Sequence, residues 1–129
     1  MNYGYKKQVN LSYEKAIEQS KAELAAEGFG VLSEIDVQAT LKKKLDVDYD
    51  KYMILGACNP TFALKALENE QDIGLLLPCN VIVYETEGSV FVAAIRPVVA
   101  MSVVEKPQLE SIAREVEDRL VAVVDKLSA

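Results

Sequence analysis

The chain has 129 residues, of which 50% are hydrophobic and 26% are charged. This length is typical of one domain with its own core, so we predict a single domain spanning residues 1–129. No apolar run approaches the roughly 20 residues that a membrane-spanning helix needs. Residues 1–12 also lack the apolar stretch of a secretory signal. We therefore expect a cytoplasmic protein, with reduced cysteines and no membrane association.

The formal net charge is −6, and the chain contains no histidine. A negative chain repels phosphate backbones, so we predict no nucleic-acid binding. The absence of histidine removes the usual general base, the commonest metal ligand and every Ser-His-Asp arrangement. The acidic residues lie on predicted helix faces and in loops, so no catalytic residue is assigned. Whether the protein is an enzyme stays open.

The first part of the chain predicts alternating strands and helices. Residues 3–11 alternate in polarity, which indicates a half-buried strand. Ser12 is a favourable N-cap and Gly28 suits the left-handed residue after a helix, so a helix is expected between them. Residues 29–35 predict a second strand. Asp36 then caps a short amphipathic helix.

The middle of the chain predicts a buried strand followed by a helix. Residues 51–58 are almost continuously apolar, as expected for a central strand that is covered on both faces. Asn59 is a good N-cap and Pro60 fits the first helical position, where its missing N–H costs nothing. A helix should therefore extend to about Asn69.

The last third predicts a hairpin and a long helix. Residues 79–85 and 89–96 flank a turn containing Gly88, and residues 90–95 again read as a strand that is covered on both faces. Pro107 begins a helix whose apolar residues recur at steps of three and four: Leu109, Ile112, Val116, Leu120, Val123 and Leu127. The element order predicts an α+β fold with helices packed on a largely antiparallel sheet of about five strands. Extra apolar residues on the last helix, at Ala113, Val121 and Ala122, make a dimer contact an alternative to simple core packing.

Residues 56–80 contain both cysteines, and each cysteine precedes an asparagine. Cys58 ends a predicted strand and Cys79 begins another, so the two sulfurs could face a common pocket. Two such thiols could form a reversible disulfide or bind a soft metal such as Cu(I), with Met101 as a third ligand. The alternative is that both cysteines are packing residues, because free cysteine is commonly buried.

The motifs Tyr-Met-Ile-Leu-Gly-Ala-Cys-Asn-Pro (52–60), Ala-Leu-Glu (66–68) and Ile-Gly-Leu-Leu-Leu-Pro-Cys-Asn-Val (73–81) resemble the prokaryotic domain of unknown function 302 family. The similarity extends to Pro97 and Met101. The resemblance implies a TATA-binding-protein-like α+β fold, with a curved sheet and a long C-terminal helix, and it implies dimers. It supplies no established activity, and likeness to a DNA-binding fold does not transfer DNA binding.

Three function hypotheses follow, of which one, an interaction scaffold for another protein, leaves no identifiable mark in the sequence. The first is a homodimeric small-molecule-binding module without a strong catalytic signature. Its binding residues would be Cys58, Asn59, Cys79, Asn80 and Arg96, where the asparagine amides form the rim and Arg96 pairs with an anionic group. The alternative is a cysteine-dependent redox, sulfur-handling or soft-metal-binding protein that uses Cys58 and Cys79. No metal site is assigned under the first hypothesis, and neither hypothesis identifies a cofactor.

Overall fold

The fold, seen in a computed structural model that describes residues 1–127, is α+β and contains a five-stranded antiparallel sheet. The predicted fold class is therefore confirmed. The prediction of one domain over residues 1–129 includes two residues that lie outside the described range. The strands are β1 (Gly4–Val9), β2 (Gly30–Asp36), β3 (Tyr52–Cys58), β4 (Cys79–Thr86) and β5 (Ser89–Ile95). The α-helices are α1 (Tyr13–Ala26), α2 (Val37–Leu45), α3 (Pro60–Asn69), α4 (Pro97–Ala100) and α5 (Pro107–Asp125), with 3₁₀ segments at Gln71–Leu76 and Met101–Val104.

The strand order in the sheet is β1-β5-β4-β3-β2, and every neighbouring pair is antiparallel. The middle strand is β4, and β3 lies between β4 and β2, which agrees with the interior position expected for residues 51–58. The sequence pattern identified a strongly apolar strand. It could not say which long-range pairings would place that strand within the sheet.

Local capping signals determine where α1 and α2 begin. The Ser12 hydroxyl accepts a hydrogen bond from the Lys15 backbone N–H at 3.1 Å. The Asp36 carboxylate accepts one from the Ala39 N–H at 2.9 Å. Each bond satisfies an N–H group that has no partner within its helix. After α1, Gly28 adopts a φ of +86°, which side-chain-bearing residues rarely tolerate. The caps predicted at Ser12 and Asp36 and the stop at Gly28 are confirmed.

The main core lies between one face of the sheet and the helices α1 and α5. Strand residues at alternate positions point into it, because successive side chains point to opposite faces. The buried strand residues on this inward face include Val9, Leu55, Ala57, Cys79, Val81, Val83, Val90, Val92 and Ala94. The α5 stripe packs on them through Val116, Leu120 and Val123, as predicted.

The opposite face of the sheet is also apolar, although its residues belong to neither buried core cluster. Four aliphatic residues lie in register on the adjacent strands β5, β4, β3 and β2. We call them the outward aliphatic row: Ala93, Ile82, Ile54 and Ile35. Beside it lies the outward aromatic row, Phe91, Tyr84 and Tyr52. Their ring centroids are 5.3 and 5.4 Å apart in stacked pairs. The apolar runs in β3 and β5 therefore reflect two apolar faces, of which α1 and α5 cover one.

Truncating the core should destabilise the fold far more than truncating the surface. Leu120 is 1% exposed, whereas Leu64 on α3 is 59% exposed. We expect Leu120→Ala to lower the free energy of unfolding by about 2–5 kcal/mol, because it removes buried contacts and leaves a cavity. Leu64→Ala should change it by no more than about 0.5 kcal/mol. Urea denaturation followed by circular dichroism measures both, and equal losses would contradict the described core.

Candidate functional site

A small cavity of about 30 Å³ lies at the junction of α3, α5 and the adjoining ends of β3 and β4. Its walls are almost entirely apolar. Helix α3 contributes one side and α5 the other, through Phe62, Ala63, Ala66, Ile112, Ala113 and Val116. Three of these six residues are alanines, whose short side chains leave the space between the helices unfilled. The burial of Ala113 at this wall also argues against its expected role in a dimer contact.

Gly56 allows the chain segments beside the cavity to approach closely. A Cβ atom at this position would collide with the Ser33 hydroxyl and would lie 3.0 Å from Cγ of Pro78. Pro78 itself borders the cavity, immediately before β4. The Ser33 hydroxyl and the Pro78 ring are therefore the two neighbours that require a glycine at position 56.

The predicted site residues divide into two groups. Cys58, Asn59 and Cys79 border the cavity, as does Met101. Asn80 is exposed and borders a separate surface groove, while Arg96 borders neither space. The structure therefore gathers three of the five proposed binding residues around one apolar cavity.

The two cysteines do not form the expected pair. Both are free thiols, and although each borders the cavity they are not near each other. The antiparallel register explains this, because Cys79 lies opposite Ala57, and Cys58 is one residue further along β3. Side chains alternate between the two faces along a strand. The prediction of a cysteine pair is therefore wrong, and with it the geometry required for a disulfide or for a Cys58, Cys79 and Met101 metal site.

Cys79 has the chemistry of a buried apolar residue. Its side chain is 8% exposed and packs in the main core. Burial raises the pKa of the Cys79 thiol to about 11, and the negative charge of a Cys58 thiolate adds to the rise. At neutral pH the group is therefore a protonated thiol. A protonated thiol is a poor nucleophile and a poor metal ligand.

Asn59 occupies the N-cap position of α3, but its side chain makes no capping bond. Its amide Nδ2 instead donates to the Glu27 backbone oxygen, at 3.4 Å. Arg119 on α5 donates to the same oxygen at 3.3 Å, and its guanidinium lies 5.2 Å from the centroid of the Phe62 ring. Two donors thus satisfy a carbonyl at the negative end of α1. The capping role expected for the Asn59 side chain was wrong. The long-range contact that replaces it carries no local sequence signal.

Arg96 is engaged within the protein. Its Nε lies 3.2 Å from a carboxylate oxygen of Glu117, and its Nη1 donates to the Asn2 backbone oxygen at 3.0 Å. The second oxygen of Glu117 accepts the Val98 N–H at 3.1 Å, at the start of α4. Glu117 is mostly buried, so this pair connects α5 to the end of β5.

The sequence interpretation missed a surface groove of about 270 Å³ beside the cavity. The groove and the cavity share Leu77, Pro78, Cys79 and Met101, so the two spaces adjoin each other. The Gln71–Leu76 segment supplies the outer wall, where Leu75 is 89% exposed. The run Leu75-Leu76-Leu77 is the sequence signal that could have located this groove.

Within residues 1–127, no three side chains of His, Cys, Asp or Glu come together as a possible metal site. In the same range, none of the helices combines the length and apolar character needed to cross a membrane.

The family model described as "Domain of unknown function DUF302" matches residues 5–127. The chain belongs to the DUF302 family. A solved relative, described as the "crystal structure of uncharacterized conserved protein DUF302 from Bacillus stearothermophilus", superimposes with a TM-score of 0.93. The two sequences are 30% identical, and the alignment covers 98% of this chain and 99% of the relative. None of the curated proteins matches the chain.

Membership of the DUF302 family confirms the resemblance drawn from the residues around both Cys-Asn dipeptides. The high TM-score shows that the arrangement of strands and helices is shared with the relative from Bacillus stearothermophilus. Neither the description of the family nor that of the relative names an activity.

The raised pKa of Cys79 predicts a specific dependence of stability on pH. In the unfolded chain the thiol loses its proton above about pH 8.5, whereas the folded chain retains it up to about pH 11. Across that window the unfolded state binds fewer protons than the folded state. The contribution of this thiol to the free energy of unfolding therefore falls by up to about 1.4 kcal/mol for each unit of rising pH.

Urea titrations from pH 8 to pH 11 on the wild type and Cys79→Ala test this expectation. The difference in unfolding free energy between the two proteins should shrink as pH rises. Tyrosine titrations are common to both proteins and cancel in that difference. A difference that stays constant would contradict the buried, protonated thiol.

Proposed function

We propose that this DUF302 protein is a homodimeric module that binds a small apolar molecule in the cavity and the groove beside it. The observation that carries the proposal is the apolar cavity between α3 and α5, which adjoins a larger groove lined by both polar and apolar groups. Apolar concave sites with a few polar groups at the rim are the usual form of ligand pockets. A cytoplasmic location, in keeping with the two free thiols, belongs to the same proposal.

The dimensions favour a ligand that lies mainly in the groove. A cavity of about 30 Å³ has room for about two water-sized groups, such as the end of an alkyl chain. The groove, at about 270 Å³, lies close to the roughly 300 Å³ at which ligand pockets begin. A ligand would extend along the Leu75 side of the groove and place its apolar end in the cavity beside Cys79.

The polar groups available to this ligand are few. Asn80 borders the groove and is exposed, so its amide is available to a hydroxyl or carbonyl at the polar end of the ligand. Cys58, Asn59 and Cys79 serve as wall residues in this proposal. Arg96 is left out of the ligand site, because Glu117 and the Asn2 carbonyl engage its guanidinium.

The homodimeric part of the proposal is supported by the outward face of the sheet. An antiparallel sheet with one solvated face usually alternates apolar and polar residues. Here both faces are apolar at the centre of the sheet, as the outward aliphatic row shows. An apolar surface of this kind is more typical of a subunit interface than of a monomer surface.

Filling the cavity should weaken the binding of apolar probes. Ala63 lines the cavity on α3, so the longer side chain of Ala63→Met would occupy the space. Ala39 on α2 is exposed and provides a matched control, Ala39→Met. We expect toluene and straight-chain alcohols of four to ten carbons to shift backbone NMR signals around Cys79 and Met101 in the wild type and in Ala39→Met.

In Ala63→Met the apparent affinity for these probes should fall at least tenfold. The free energy of unfolding should not fall, because filling a cavity restores lost contacts. If the wild type shows no saturable shifts, or if Ala63→Met binds the probes as well as Ala39→Met does, the ligand site is wrong.

A further inference from the structure

We propose that a second copy of this chain covers the outward face of the sheet, so that two sheets pack face to face with β4 at the centre of the interface. This inference rests on the homodimeric part of the proposed function and names its interface. It concerns the opposite side of the sheet from the cavity.

The first argument is the distribution of charge. The chain is 26% charged, yet among the outward positions of the five strands Lys6 is the only charged residue. Its Nζ lies 5.3 Å from the centroid of the Phe91 ring and 3.4 Å from the Tyr84 hydroxyl. Depletion of charge with enrichment of aromatic residues is the compositional mark of an interface core.

The second argument is that the outward residues are arranged for close packing. Ala93, Ile82, Ile54 and Ile35 lie in register on four adjacent strands. Ala93 is only 6% exposed but belongs to neither buried core cluster, because its outward neighbours shield it. An aliphatic row beside a stacked aromatic row is well suited to sheet-on-sheet packing at about 10 Å.

The third argument is the available area. Five strands at about 4.8 Å spacing give a width of about 24 Å, and strands of six to eight residues are roughly 20–27 Å long. The flat area is therefore about 500 Å² before side-chain relief is added. A stable interface buries about 800 Å² on each partner, which the relief of the outward side chains brings within reach.

The identity of the partner follows from symmetry and charge. A two-fold interface requires a surface that can face itself, and an uncharged apolar face meets this condition despite a net charge of −6 on each copy. Lys6 shares the register row of Ala93 and Ile82. A two-fold axis across the strands through that row would bring two Lys6 ammonium groups together. An axis along β4 instead places Lys6 over the partner's β2 edge, so we infer an axis along β4.

An apolar depression of about 140 Å³ on the outward face supports that axis. It is bordered by Met1, Tyr3 and Gly4 together with Ile82 and Ala93, and it shares Asn80 and Ile95 with the groove. With the axis along β4, the first residues of β1 meet the first residues of the partner's β2. Leu32 lies there and is 71% exposed in the single chain. Each copy can therefore insert an exposed leucine into the depression of the other.

The experiment introduces a charge at the centre of the interface. Ile82→Glu would bury two carboxylates in the dimer but leaves each one solvated in the monomer. Leu64→Glu, at an exposed position on α3, makes the same change in charge away from the sheet. Sedimentation equilibrium from 1 to 200 μM should show a dimer for the wild type and Leu64→Glu. For Ile82→Glu the dissociation constant should rise at least 100-fold.

Two results would overturn this interface: a wild type that is monomeric at 200 μM, or a folded Ile82→Glu protein that dimerises as the wild type does. If circular dichroism shows that Ile82→Glu is unfolded, the double variant Ile54→Thr/Ile82→Thr replaces it as the test. Threonine favours strands, so this variant should keep the fold while making the outward face more polar. Its dimer should be at least tenfold weaker, and an unchanged dissociation constant would contradict the proposal.

The ligand site is separately testable in the same proteins. Monomeric Ile82→Glu should still bind toluene, and Ala63→Met should still dimerise. Loss of the dimer with retained probe binding would confirm that the two surfaces are independent. Failure of probe binding in every protein, with the wild type dimeric, would overturn the ligand site alone.

Discussion

The register of β3, β4 and β5 is the constraint on which the rest of the structure depends. The pairing of Ala57 with Cys79 and of Ile54 with Ile82 decides which side chains face α1 and α5 and which face outward. A shift by one residue would exchange the two faces completely. It would expose Val81 and Val83 and turn Ile82 and Tyr84 into the core. The cavity, the outward rows and the separation of the cysteines all follow from this one alignment.

The cysteines show why a repeated dipeptide can mislead. Cys58-Asn59 ends one strand and Cys79-Asn80 begins the next strand in the ladder, so the repetition indicates proximity along the sheet. It does not indicate orientation, which depends on the register of the two strands. Because Cys79 is opposite Ala57, its thiol packs in the core, where burial keeps it protonated. The family signature therefore coincides with a structural junction that borders the apolar cavity.

Much of the fold could be predicted because its signals are local. Ser12, Asp36 and Gly28 act on backbone groups within a few residues, and the α5 stripe needs only its own periodicity. The contacts that shape the site join distant parts of the chain. The Glu27 carbonyl receives Asn59 and Arg119 from α3 and α5, and Arg96 meets Glu117. Composition and residue spacing do not indicate such pairings, because these contacts form only when the helices have packed on the sheet.

The packing of a single chain does not account for all the apolar residues in the continuous runs of β3 and β5. Covering by α1 and α5 accounts for Leu55, Val90 and Val92, but not for Ile54, Phe91 or Ala93. If the outward face were solvated in the functional state, these positions would tolerate polar residues at little cost to stability. Their apolar character, together with the single charged residue Lys6, is what the proposed second copy would cover. In the proposed dimer the same strand, β4, contributes Cys79 to the cavity proposed for a ligand on one side and Ile82 to the proposed interface on the other. Alternation of side chains lets one strand contribute to both faces, and Asn80 near its start borders both the groove and the outward depression.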